Sequence, residues 1–217
     1  MAERRHALAL PEGIPATHKE EERKLLARLR QQLTDAEFRD SLYELGCFYN
    51  RVARNDLAVQ VMKILMTYCN DPEEQAFCYM SLGQISEQEG QYALAIRYYA
   101  AGLKLRARAK LLAYLLHNNM GSCLNSEKRY SEGEKFCRAA IQIDSERSAA
   151  FKNLGISLQG QGDVVGAAWA YAEASRADPS DARAVRLLRT LVAGHPKTLS
   201  HLAHVFLREQ PVADLIS

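Results

Sequence analysis

Neither sign of charge is in excess in this 217-residue chain: 28 Lys and Arg stand against 26 Asp and Glu, a formal net charge of +2. A global attraction to nucleic acid or to an anionic membrane is therefore not expected, and any charged site must be local. Cysteine is scarce and unpaired in pattern. Cys47, Cys69, Cys78, Cys123 and Cys137 are odd in number and contain no C-x-x-C, which speaks against a disulfide framework and a zinc knuckle and for a reducing compartment. No apolar run approaches the length of a membrane span, so no membrane insertion is expected. The short Ala/Leu segment before Pro11 is too small for the apolar core of a secretory signal, and the expected location is cytoplasmic. A phosphate-binding loop is missing too, because the one candidate, residues 160–163 (GQGD), lacks Lys and Ser/Thr. At 47% hydrophobic and 25% charged residues, what remains is an ordinary globular composition able to bury a sizeable core.

Residues 1–17 hold Pro11, Gly13 and Pro15 without apolar periodicity and read as a flexible lead-in. Residues 19–33 carry acids first and bases later, with an apolar stripe at Leu25, Leu26, Leu29 and Leu33, which predicts a surface helix. Asp35 is the expected N-cap of a following helix over 36–53, with Phe38, Leu42, Leu45 and Tyr49 inward.

From there the sequence repeats. A large apolar residue followed by glycine recurs at Leu45-Gly46, Leu82-Gly83, Met120-Gly121 and Leu154-Gly155, at separations of 37, 38 and 34 residues. Four positions before each glycine stand Leu42, Tyr79, His117 and Phe151; three after it, Tyr49, Ser86, Leu124 and Leu158; twelve after it, the small residues Ala58, Ala95, Gly133 and Ala167. Small residues on two successive helices let their backbones approach while bulky ones interdigitate. The units are about 39–72, 76–109, 114–147 and 148–181. The second and fourth have a turn signal between their helices, at Gly90-Gln91-Tyr92 and Gly162-Asp163-Val164, and Tyr130 fills the same place in the third. The basic stretch 103–112 is expected to prolong the second helix of the second unit past its usual stop. Residues 182–209 read as a capping hairpin without the glycine, and 211–217 (PVADLIS) as a disordered tail.

The pattern resembles the tetratricopeptide repeat over roughly residues 39–181. Its bulky-x-x-Leu-Gly-x-x-aromatic first helix and Ala-x-x-x-aromatic-x-x-Ala second helix are visible in Phe151, Leu154, Gly155 and Leu158 with Ala167, Tyr171 and Ala174, and again in Tyr79, Leu82 and Gly83 with Ala95, Tyr99 and Gly102. The resemblance implies an all-α, right-handed α-α superhelix, here a single solenoid over 18–210 with an extra N-terminal helix. It also implies that first helices line a concave face.

No residue set in the chain marks catalysis or a cofactor. His195, His201 and His204 are close in sequence, yet no carboxylate or cysteine completes a zinc site. Cys123 and Cys137 fall on expected buried faces. Arg97, Lys104, Arg106, Arg108 and Lys110 spread around a helix with no aromatic platform beside them, which suits a solvated face rather than a nucleic-acid site. The inner-face positions between the packing residues are Tyr43, Glu44, Cys47 and Asn50 in the first unit and Phe77, Met80, Ser81 and Gln84 in the second. In the third they are Asn118, Asn119, Ser122 and Asn125, and in the last Lys152, Asn153, Ile156 and Gln159. Amides there suit pairing with the backbone of an extended peptide, and the apolar members suit anchoring it.

The expected function is thus a non-catalytic scaffold or adaptor holding a peptide or helix of a partner protein. In the chaperone adaptors of the family, several cationic residues clamp a terminal carboxylate. Carried over to this chain, those places fall on the uncharged Met80 and Ala149, which leaves Lys152 alone to hold an acid. A secretion-type chaperone is an alternative, suggested by the extra N-terminal helix, though such proteins usually have fewer repeats. Self-assembly into a homo-oligomer, through the 19–33 helix or the tail, is the other.

Overall fold

A computed structural model describes residues 18–196. Among them are ten helices and no strand: α1 (Lys19–Leu29), α2 (Asp35–Arg51), α3 (Asn55–Met66), α4 (Pro72–Gln88), α5 (Tyr92–Lys104), α6 (Lys110–Ser126), α7 (Tyr130–Ile143), α8 (Ser148–Gly160), α9 (Val164–Ala177) and α10 (Ala182–Gly194). Four consecutive antiparallel hairpins, α2–α3, α4–α5, α6–α7 and α8–α9, stack side by side in an all-α superhelix. α1 lies on the first hairpin and α10 on the last. The segment 197–217, with the second half of the expected capping hairpin, His201, His204 and the tail, lies outside the described residues, as does 1–17.

The four glycines share one structural duty. A β-carbon on Gly46 would collide with Met62, on Gly83 with Tyr99, on Gly121 with Cys137 and on Gly155 with Tyr171. In every case the obstructing residue is sixteen positions later in sequence, on the second helix of the same hairpin. The missing side chain is thus the space into which the partner helix inserts its own. Ala58, Ala95 and Ala167, twelve positions after their glycines, are fully buried. Gly133 takes the equivalent place in the third hairpin because the Asn125 Oδ1 and Ser157 Oγ atoms occupy the volume a side chain would need. Tyr99 and Tyr171 end their burial on a polar atom: Tyr99 donates its hydroxyl to Glu87 at 2.9 Å and Tyr171 to Gln159 at 2.9 Å, both acceptors four residues after the glycine.

Each hairpin turns through one left-handed residue, seven positions after the glycine: Ala53 (φ 58°), Gly90 (φ 72°), Lys128 (φ 59°) and Gly162 (φ 83°). Two of the four are not glycine, which is why only two turns carry a glycine signal in the sequence.

Three boundaries differ from expectation. α1 stops at Leu29 rather than Leu33, because Thr34 must be extended to cap α2 (φ −62°, ψ 164°). The cap of α2 is Thr34, not Asp35: its side chain accepts from the Glu37 N–H while Glu37 accepts from the Thr34 N–H, a reciprocal capping box. α2 also ends at Arg51, since Ala53 has left the right-handed region. The basic stretch after α5 does not prolong that helix. It ends at Lys104, Arg106 turns left-handed (φ 54°), and Glu73 accepts the backbone N–H groups of Arg108 (2.7 Å) and Ala109 (3.0 Å) at the entry to α6.

A β-carbon in the left-handed region costs about 1 kcal/mol. Lys128→Gly is therefore expected to raise the thermal midpoint by about 2–4 °C, measured by circular dichroism, with unchanged helix content.

Candidate functional site

The first helices α2, α4, α6 and α8 lie in sequence along one face, so their inward positions meet from repeat to repeat. At the α2–α4–α6 end these contacts leave a cleft of about 570 Å³. Tyr43 and Phe77 form one wall, ring centroids 5.0 Å apart and edge to face. Leu112, Leu115 and the exposed Leu111 of α6 form another. Arg39 and Glu74 pair across the rim at 3.2 Å, and Asp40 and Glu73 also line it. Three carboxylates against one guanidinium leave the rim negative. Burial first, and then the Cys47 thiol, push the Tyr43 phenol up to about 12, so it stays a neutral hydrogen-bonding group throughout the physiological range.

The amide-rich half is organised differently. Asn153 donates to Asn118 at 3.0 Å, Asn118 to Asn119 at 3.1 Å, and Asn125 to the Asn153 carbonyl at 2.8 Å. Ser157 donates to the Asn125 Oδ1 at 2.7 Å. These side chains join α6 to α8. Asn118 and Asn125 are buried, at 8% and 7% exposure, and Asn125 is a strut between repeats. Asn119, Ser122 and Asn153 remain half-exposed, and Ser122 donates to Glu87 at 3.2 Å.

Met80 departs most from its expected exposure. At 5% it sits in the core with Ala76, Leu112, Leu116 and Met120, because neighbouring first helices cover the position three before the glycine. Of the remaining sequence-derived positions, Glu44 pairs with Arg28 of α1 at 2.8 Å, and Ser81 bonds back to the Phe77 carbonyl at 3.1 Å. Gln84 and Ile156 are half-buried, Cys47 and Gln159 are exposed, and the Asn50 Oδ1 is buried without a partner. Lys152 is committed within the chain. It pairs with Asp181, which also accepts from Ser148 (3.1 Å) and caps α10 through the Arg183 and Ala184 N–H groups. The cleft residues Arg39, Asp40, Glu73, Glu74, Leu111 and Leu115 were missed. They lie about one turn and more before the positions chosen around each glycine, and the i−4 step from Tyr43 and Phe77 marks two of them, Arg39 and Glu73.

Among the described residues no group of three or more His, Cys, Asp or Glu stands together as a metal site. No helix there is long and apolar enough to cross a membrane.

Hairpins of this length, joined by a repeated glycine contact, define a helical repeat protein. The tetratricopeptide repeat family matches residues 78–108 and 114–147. A heat shock protein sti1 homolog of Schizosaccharomyces pombe is 25% identical over 118 residues, covering 54% of this chain and 19% of that protein. The chain thus spans about a fifth of the length of this curated relative. The second TPR domain of human RPAP3, solved in complex with the HSP70 peptide SGPTIEEVD, is 28% identical with a TM-score of 0.51, covering 55% of this chain and 97% of that one. MamA from Desulfovibrio magneticus RS-1 is 18% identical with a TM-score of 0.62 over 78% of this chain and 93% of that one, a likeness of fold. Two segments of this chain thus match the tetratricopeptide repeat family, and its fold is like that of solved proteins of that kind.

Burial works against the charge on Asp181, but the hydrogen bonds from Lys152, Ser148 and the Ala184 N–H outweigh it and hold the carboxyl below its usual value. A folded-state pKa lowered in this way adds stability above the unfolded value near 3.8, and that stability is lost as pH falls through the folded value. Chemical denaturation from neutrality down into that range should show a smaller acid loss for Asp181→Asn than for the parent chain, from a lower starting stability. Parallel pH curves would show that the carboxylate contributes nothing to the α8–α10 junction.

Proposed function

We propose that this chain is a non-catalytic interaction scaffold that holds a segment of a partner protein along its concave face. Apolar side chains of that segment anchor in the α2–α4–α6 cleft, and its backbone runs on toward the half-exposed amides of Asn119 and Asn153. The observation that carries the reading is the cleft itself: Tyr43, Phe77 and Leu111 are presented together under a rim where Asp40 and Glu73 stand beside the Arg39–Glu74 pair. Burying such apolar anchors gives affinity, and the surrounding polar rim gives register. The RPAP3 domain, 28% identical, was solved with a bound peptide, which supports the class of activity. The chemistry of the bound segment is expected to differ from that acidic peptide. Lys152 is engaged by Asp181, Met80 is buried and apolar, and the cleft rim is negative. A segment with aromatic or aliphatic anchors flanked by Lys or Arg fits this surface, and a terminal carboxylate does not.

Peptides selected from a random display library on the full chain should be rich in such residues. Leu111→Glu, at a position already half exposed, should weaken them at least about tenfold, a change worth about 1.4 kcal/mol, by fluorescence anisotropy. The combined Asn119→Ala and Asn153→Ala variant should weaken them less. Unchanged affinity in Leu111→Glu with unchanged helicity would remove the cleft from the account.

A further inference from the structure

The cleft contains a feature that peptide holding does not use. Cys69, in the connection between α3 and α4, and Cys78, within α4, both line it, and their Sγ atoms lie 3.9 Å apart. This is the one cysteine pair in contact among the described residues. The surrounding backbone is fixed: Gln75 donates to the Cys69 carbonyl at 3.0 Å, and the Cys69 thiol donates to the Leu65 carbonyl at 3.3 Å. A disulfide bond is about 2.05 Å long, so closing this contact brings the two sulfurs about 1.9 Å nearer. Cys69 is the more accessible at 6% exposure against 1% for Cys78, and the cleft gives a reagent its way in.

We propose that Cys69 and Cys78 form a dithiol site that closes to an intramolecular disulfide by exchange with low-molecular-weight disulfides. Cys69, as its thiolate, attacks one sulfur of the reagent; the reagent's S–S bond breaks and one thiol leaves with the electron pair, taking up a proton. Cys78 then attacks the Cys69 sulfur of the mixed disulfide and expels the second thiol. The two cysteines lose two electrons and two protons, and the reagent is reduced to two thiols. Both the starting thiols and the product are neutral, so the apolar surroundings that raise the Cys69 thiol and push Cys78 up to about 12 slow the exchange without opposing its outcome.

The test uses the full chain with oxidised glutathione at about pH 8.5, where thiolate is more abundant, followed by alkylation and trypsin. Residues 64–97 form one tryptic fragment containing both cysteines. That fragment should appear two mass units lighter and unalkylated, at a rate rising about tenfold per pH unit below the thiol pKa. The oxidised chain should melt about 5 °C higher, as expected for a cross-link closing a short loop. In Cys78→Ser the fragment should instead carry glutathione on Cys69, and in Cys69→Ser no disulfide should form. Alkylation of both cysteines under conditions that fully modify the exposed Cys47 would overturn the proposal, as would disulfide formation at other pairs to the same extent.

Discussion

The structure depends on one repeated close contact, a glycine on the first helix of each hairpin receiving the side chain sixteen residues later on the second. Met62, Tyr99, Cys137 and Tyr171 differ in size and chemistry, yet each occupies the volume the glycine leaves open. The contact fixes how near the two helices lie, and hence how the next hairpin must stack. Where the inserted residue is tyrosine, its hydroxyl finds an acceptor four residues after the glycine, so a large aromatic ring is buried at no cost in unsatisfied polar atoms. In the third hairpin the smaller Cys137 goes with Gly133, and the room is used by Asn125 and Ser157 to join two repeats.

Function follows from what this packing leaves over on the inner face. Side-by-side first helices cover each other's flanking positions, which buries Met80 and Asn118, while the N-terminal halves of α2, α4 and α6 leave a cleft between them. Charges that could have served a ligand are spent holding the stack: Lys152 and Asp181 tie α8 to α10, and Glu73 caps the entry to α6. The proposed site is therefore mainly apolar, with a negative rim.

Much of the fold was legible because packing constraints repeat. The glycine and the small residue twelve later recur in register, and those two positions were enough to lay out four hairpins between 39 and 181. Turns were legible only where glycine marks them; Ala53 and Lys128 adopt the same left-handed backbone without announcing it. The stop of α5 was misjudged because helix propensity in 103–112 loses to a distant carboxylate, Glu73, which no local pattern reveals. The site was legible in part. Tyr43 and Phe77 were found as inner-face residues, but the cleft between three helices is a property of their spacing, and the Lys152–Asp181 pair and the Cys69–Cys78 contact join residues that no helical period connects.

The central claim, that the glycine contact sets the hairpin geometry, is tested most directly by a double-mutant cycle on Gly83→Ala and Tyr99→Ala, read by urea denaturation. The account predicts that Gly83→Ala costs about 1–3 kcal/mol against the tyrosine ring and much less once the ring is removed, a coupling of at least about 1 kcal/mol. Additive losses would contradict it, since they would mean that the side chain sixteen residues on does not depend on the space the glycine leaves.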